Sequence, residues 1–169
     1  MPASASLDAF CTGLKDTSFS VTLQSVEWIV PAVQTVHILA IGAVAGAALA
    51  VAFRSLGLSG RDRTTSAVAA QFLPVVWGAL PVLLATGLVL IVAEPARALE
   101  NPVFWTKMSL LGTAMVVTAV YHLPLRRDPT FWDGSLTRKR ATKVLAIASL
   151  LLWTGIIFAG RWIAYVDAT

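Results

Sequence analysis

Long apolar segments separated by short polar ones dominate the pattern of this 169-residue sequence. Four of them, at about 28–53, 72–93, 103–123 and 144–162, have about the 20 residues that a helix needs to cross a bilayer. Apolar residues make up 57% of the chain and charged residues 13%, about half the charged share of a typical soluble domain. The pattern predicts an all-α membrane protein: a four-helix transmembrane bundle in up-down order, with residues 28–169 as the transmembrane domain.

The basic residues give the predicted bundle a direction. Nine of the 13 Lys and Arg residues fall in two short segments: Arg54, Arg61 and Arg63, then Arg126, Arg127, Arg138, Lys139, Arg140 and Lys143. Positive residues concentrate in cytoplasmic loops, so both segments are predicted to lie inside and both termini outside. This placement also explains the net charge of +4 without nucleic acid as a partner.

Residues 1–27 form a separate N-terminal segment, predicted to lie at the outer membrane interface. Leu7, Phe10, Cys11 and Leu14 fall on one stripe of a short helix. Such a helix can act as a lid over the bundle or as a simple surface anchor. The segment has no basic start and no long apolar run, so we do not expect a cleaved signal peptide. With a single cysteine, an internal disulfide is excluded.

Counting along the helices places several polar side chains in one layer near the outer surface. His37 lies 17 residues before Arg54, or roughly 25 Å along a helix at 1.5 Å per residue. Lys107, Met108 and Arg161 reach a similar level when counted from the inner charges of their own helices. Glu94 ends the second span there, and Gln34 lies one turn above His37. We therefore expect four helices to bring polar groups together in the outer third of the bilayer.

Ionisable side chains inside a membrane are costly and usually functional. The predicted ligand-binding residues are Gln34, His37, Glu94, Lys107 and Arg161. The predicted metal ligands are His37 and Met108, because imidazole and thioether suit haem iron or copper. Haem b, a quinone and copper all stay open as cofactors, and proton transfer between His37 and Glu94 is a further use. Lys107 and Arg161 can also simply reach the headgroups, and Met108 can be a packing residue.

No motif in the sequence names a reaction, so whether the chain is an enzyme stays undecided. His122 lies near the inner interface, roughly 20 Å from the level of His37, too far for one bis-histidine haem. Three functions remain open: a redox-associated membrane subunit, a structural or assembly subunit, and a small transporter component. The expected partners are the lipid bilayer and either another membrane subunit or a second copy. Gly42 and Gly46 form a small-xxx-small pair that favours close helix approach.

The residues from Pro31 to His37 resemble the first span of an uncharacterised family of small four-span bacterial membrane proteins. That family has Pro followed by Glu-Ser-x-His, and Gln34 stands here in place of the Glu. The similarity extends from about Trp28 onward, through the stretches 54–58, 94–107 and 160–163. It implies a bacterial protein and names no activity. Together with the basic loops, which place both termini outside, this predicts a location in the bacterial inner membrane with both termini in the periplasm. A weaker architectural likeness is to cytochrome b561-type and copper-resistance D-type membrane proteins.

Overall fold

The computed structural model of the protein describes residues 2–59, 62–163 and 165. They form seven α-helices: α1 (Pro2–Lys15), α2 (Ser18–Ser25), α3 (Ile29–Leu56), α4 (Thr65–Ala93), α5 (Pro95–Leu99), α6 (Pro102–Arg127) and α7 (Leu136–Trp162). A 3₁₀ turn, Phe131–Asp133, lies between α6 and α7. The part of the chain described has no strand.

Four of these helices, α3, α4, α6 and α7, are long and apolar enough to cross a membrane. Their surfaces carry large apolar side chains, such as Leu39, Leu84, Val116 and Leu151, each about two-thirds exposed. So much exposed apolar surface suits lipid rather than water. The predicted all-α four-helix architecture is confirmed. The sides on which the termini lie remain a prediction, and "outer" below means the end predicted to face outside.

Two of the long helices begin well before their predicted spans. Helix α4 starts at Thr65, because the Thr64 hydroxyl accepts a hydrogen bond from the Ala67 backbone N–H. Helix α7 starts at Leu136, where the Ser135 hydroxyl accepts one from the Arg138 backbone N–H. Such N-caps satisfy free N–H groups and let polar sequence continue the helix. Both helices therefore extend past the apolar segments at the inner end.

The long helices pack in the order α4, α3, α7, α6 around the bundle, and α4 barely touches α6. A core cluster at mid-height includes Val44, Ala47, Trp153 and Ile156, all almost fully buried. A second cluster closes the inner end, where Trp132 of the 3₁₀ turn packs with Tyr121, Leu73 and Ala69. Although Trp132 lies in the connection between α6 and α7, its side chain is only 5% exposed.

The small-xxx-small face of α3 is open within the described chain. A Cβ added at Gly42 or Gly46 would meet nothing within 4 Å. An added Cβ would instead come within 4 Å of another helix at Gly87 of α4 and at Gly155 and Gly160 of α7, and of these only the 3.3 Å at Gly155 is tighter than an ordinary contact. The expectation of close helix approach along Gly42 and Gly46 is therefore wrong for packing inside this chain.

The N-terminal segment folds as two helices that cover the outer end of α4 and α5. Helix α1 contacts α5, and α2 contacts α4. The Ser20 hydroxyl donates a 2.8 Å hydrogen bond to the Val92 backbone oxygen, near the end of α4. On α1, Cys11 is buried and Phe10 is exposed. The predicted apolar stripe is thus divided between contact with the bundle and the open surface.

Candidate functional site

His37 links two membrane helices near the outer end. Its Nδ1 lies 2.7 Å from the Thr86 hydroxyl oxygen, so the imidazole of α3 is bonded to α4. The ring also lies beside Gly87, where an added Cβ would fall 3.6 Å from Cε1. A larger residue at position 87 would extend into the ring. The half-buried imidazole thus has one polar contact, with Thr86, and lies beside a residue that has no side chain, Gly87.

The Thr86 hydroxyl favours one tautomer of His37. A hydroxyl has one hydrogen to donate, and the Val82 backbone oxygen lies 2.6 Å from the Thr86 hydroxyl oxygen, in the position of its acceptor. With that hydrogen bonded to Val82, the hydroxyl oxygen is an acceptor for His37, an arrangement that fits the tautomer with the proton on Nδ1. In the neutral ring, Nε2 is therefore left with a free lone pair. Nε2 has no hydrogen-bond partner among the described residues, so it is available to a ligand.

Lys107 brings a positive charge to the same layer from α6. Its side chain is half-buried and reaches α7, where a Cβ added at Gly160 would lie 3.7 Å from Nζ. Gly160 therefore leaves room for the ammonium group. We expect Lys107 to lie near enough to His37 for its charge to act on the imidazole. Within the described residues, Lys107 forms no ion pair.

The other predicted ligand-binding residues have local partners or face outward. Glu94 pairs with Arg97, with 2.7 Å between Oε2 and Nη1, and both side chains are about half exposed. Arg161 is exposed, and its Nη2 donates a 3.0 Å hydrogen bond to the Tyr165 hydroxyl. Gln34 is also exposed. The structure bonds His37 to Thr86 and does not join Gln34, Glu94 or Arg161 to that pair. Their binding roles stay predictions.

The predicted metal ligands, His37 and Met108, lie on α3 and α6 and are both half-buried. Among the described residues, no group of three or more His, Cys, Asp or Glu side chains could hold a metal ion. His122 has a different role, because its Nδ1 accepts a 2.6 Å hydrogen bond from Trp77 Nε1. That bond links α4 to α6, where the two helices otherwise barely touch. The pairing of His37 with Met108 as ligands stays a prediction.

A model of a family of unknown function, DUF6644, matches residues 18–166. The chain belongs to this family. The resemblance to an uncharacterised family is thus confirmed, and the DUF6644 match begins at the first residue of α2. No curated protein and no solved structure matches the chain. The likeness to cytochrome b561-type and copper-resistance D-type proteins therefore finds no support. Membership in DUF6644 brings no activity, so the function must be argued from the site.

The sequence analysis did not identify two residues of the DUF6644 region that form hydrogen bonds between helices at the outer end, Thr86 and Asn101. Thr86 had no signal, because a threonine in an apolar helix usually bonds its own backbone. Asn101 is fully buried; its Oδ1 accepts a 2.9 Å hydrogen bond from the Val103 N–H, and its Nδ2 donates to the Ile163 oxygen at 3.4 Å. The pair Asn101-Pro102 carries a helix-start signature that predicts this cap.

Cys11 is a free, buried cysteine on α1, outside the membrane helices. Burial raises the pKa of its thiol, and a hydrogen bond to Glu100 and the negative charge of that carboxylate raise it further. The smallest contribution to this raised pKa comes from the charge of Asp8. A thiol held in its neutral form is a poor nucleophile and a poor metal ligand. Cys11 therefore fits a packing role between α1 and α5.

Proposed function

We propose that the chain is a redox-associated membrane subunit that binds the head group of a quinone in its outer layer, between His37 and Lys107. The observation that carries the proposal is the chain of hydrogen bonds from His37 through Thr86 to Val82. It leaves Nε2 of His37 as an acceptor next to a cationic donor. A quinol hydroxyl can donate to Nε2, and a quinone oxygen can accept from Lys107.

The electrostatics favour a quinone over a bare copper ion. Lys107 is close enough for its charge to act on His37, and like charges repel strongly away from water. A metal cation on Nε2 would meet that repulsion. An oxygen that gains negative charge, as quinone oxygens do on reduction, would be stabilised by the ammonium group. Lipid-soluble quinones also reach such a layer from the bilayer.

Haem is the second candidate, and one observation favours it. Histidines that ligate metals usually anchor their other ring nitrogen by donating a hydrogen bond, which orients the ring. His37 has this arrangement, with Nδ1 bonded to Thr86 and Nε2 free. Met108 is the predicted axial partner. An absorption spectrum of the purified protein, oxidised and then reduced with dithionite, tests this candidate through the Soret band, and metal analysis tests for copper.

A structural or assembly subunit is the alternative from another class. The His37–Thr86 bond joins α3 to α4, and such a bond can serve only to hold the helices together. On this alternative, His37→Ala and Thr86→Val lower stability and leave quinone binding absent or unchanged. No specific contact favours a transporter component over these two.

The test is a titration of the full-length protein in detergent with ubiquinone-1, followed by tryptophan fluorescence. Thr86→Val keeps the side-chain shape and removes the group that orients His37. We expect this variant and Lys107→Gln each to weaken binding by about tenfold, the effect of losing one hydrogen bond to a polar or charged group. The matched control is Thr113→Val, because Thr113 is exposed and bonds only the Ser109 oxygen of its own helix.

Two outcomes contradict the quinone proposal. One is the absence of any saturable binding of ubiquinone-1 by the wild-type protein. The other is a Thr86→Val variant that binds ubiquinone-1 as tightly as Thr113→Val does, which would mean partition into the apolar surface rather than binding at His37.

A further inference from the structure

A polar cleft of about 360 Å³ lies at the inner end of the bundle, at the opposite end from His37. It is formed by the last turn of α3, the first turn of α4, the 3₁₀ turn and the first turns of α7. Three cations line it, Arg54, Lys139 and Lys143, together with the carboxylate of Asp133. The cleft is large enough for a phosphate group and its immediate substituents.

The carboxylate in the cleft is already engaged by the backbone. The two oxygens of Asp133 accept hydrogen bonds from the N–H groups of Thr65 and Ser66, each at 3.2 Å. Asp133 therefore caps the start of α4, where negative charge is favoured. In the chain as described, none of the three cations forms an ion pair with it or with another carboxylate. The cleft thus has positive charge that no internal group neutralises.

Arg54 provides the second and independent sign of a ligand. Its Nε is buried from water and has no hydrogen-bond partner in the described structure. A buried donor without a partner costs about 1–3 kcal/mol, so such groups normally have one. Arg54 lies in the last turn of α3, and the chain turns sharply after it at Gly57, with φ of 79°. A guanidinium in that position presents a planar fork suited to phosphate oxygens.

We propose that this cleft binds a phosphate-bearing anion, with Arg54 as the fixed donor and Lys139 and Lys143 as flexible cations around it. Two sources share this chemistry: the headgroup of an anionic phospholipid and a soluble phosphate. The inference is independent of the quinone proposal, because it concerns other residues at the other end of the bundle. A phospholipid bound there would hold α3, α4 and α7 together at the predicted cytoplasmic surface.

The neighbouring basic residues separate a built site from general positive charge. Arg140 lies between Lys139 and Lys143 in the sequence, carries the same charge and is exposed as they are, but it does not line the cleft. A diffuse attraction to anionic lipid would depend on Arg140 as much as on Lys143. A site would depend on Lys143 and not on Arg140. Arg140→Gln is therefore the matched control for Lys143→Gln.

The experiment measures the melting temperature of the full-length protein in a neutral detergent at constant ionic strength. Three probes are added in turn: inorganic phosphate, dihexanoylphosphatidylglycerol and dihexanoylphosphatidylcholine. Because a ligand that binds only the folded state raises its stability, we expect an anionic probe to raise the melting temperature. Lys143→Gln should weaken the apparent affinity by about tenfold, the loss of one charge-assisted hydrogen bond, and Arg140→Gln should leave it unchanged.

The probes distinguish the two sources. A response to phosphatidylglycerol without a response to inorganic phosphate identifies a lipid headgroup, and a response to both identifies a site for soluble phosphate. The proposal is overturned if neither anionic probe acts, if phosphatidylcholine acts as strongly as phosphatidylglycerol, or if Arg140→Gln loses as much affinity as Lys143→Gln. Arg54→Gln is a further variant that should lose affinity. If Arg54→Gln does not fold, Lys143→Gln still tests the proposal, because Lys143 is exposed and its substitution should leave the fold intact.

Discussion

Trp132 stacks on Tyr121 at the inner end of the bundle, with ring centroids 5.2 Å apart and planes inclined by 29°. Its Nε1 also donates a 3.0 Å hydrogen bond to the Tyr121 backbone oxygen. A loop residue thus fills the space between α4 and α6 and satisfies its polar atom there. Aromatic residues near a membrane boundary usually face the headgroups, and this one is part of the core.

Trp132→Ala is expected to destabilise the protein by about 3 kcal/mol, in the range for removing a large buried aromatic side chain. The free energy of unfolding in mixed detergent micelles measures the effect. Trp28→Ala is the control, because Trp28 is 70% exposed. An equal loss in both variants would show that Trp132 is not part of the core.

Asn101 connects the start of α6 to the end of α7. Asn101→Ala removes both the cap on Val103 and the bond to Ile163, so we expect a loss of about 2 kcal/mol. Asn101→Ser keeps a capping oxygen and should lose less. Ser135→Ala removes an exposed cap at the other end of the bundle and should cost about 1 kcal/mol. The same unfolding measurement ranks the three, and a smaller loss in Asn101→Ala than in Ser135→Ala would contradict the role given to the amide.

The sequence predicted the layer of the candidate site better than its members. Because a helix rises by a fixed distance per residue, counting from the inner charges put His37 and Lys107 at one level. That these two side chains form one site stays a prediction. The number of spans followed in the same way, since apolar length alone decides whether a helix can cross lipid.

The faces of the helices could not be predicted from the same pattern. In a membrane both the lipid side and the core side of a helix are apolar, so the sequence does not show which side faces inward. The inward position of Thr86 and the open position of Gly42 are both consequences of helix rotation. Glu94 and Arg161 have long side chains, and each found a partner within four residues of its own position, Arg97 and Tyr165.

Cys11 leads to a prediction about thiol reactivity. Since burial and Glu100 raise its pKa, the folded protein disfavours the thiolate, and labelling with a small maleimide should be slow near neutral pH. Glu100→Gln removes the negative charge and adds an amide N–H that can donate to the thiolate, so it should speed labelling. Asp8→Asn should have a smaller effect, because Asp8 is the weakest of these causes.

The raised pKa of Cys11 also sets the direction in which stability depends on pH. A thiol whose pKa is raised by folding contributes stability that is present below its unfolded pKa, about 8.5, and is lost as the pH rises through its higher folded pKa. Contact of α1 with α5 should therefore weaken in alkaline solution. If Glu100→Gln is labelled at the same rate as the wild-type protein, the contact between Cys11 and Glu100 is contradicted.

The open face of α3 can be tested by comparing Gly46, which lies on that face, with Gly155, a packed glycine of α7. Gly46→Ala should stabilise the single chain by up to about 1 kcal/mol, because alanine favours a helix over glycine and an added Cβ meets nothing within 4 Å. Gly155→Ala should bring no such gain, since its Cβ would lie 3.3 Å from Leu110 Cδ1, which must move. Unfolding in detergent at low protein concentration compares the two. If Gly46→Ala is instead the less stable variant, the face is occupied in the folded protein, and size-exclusion chromatography of both variants would then show whether a second copy covers it.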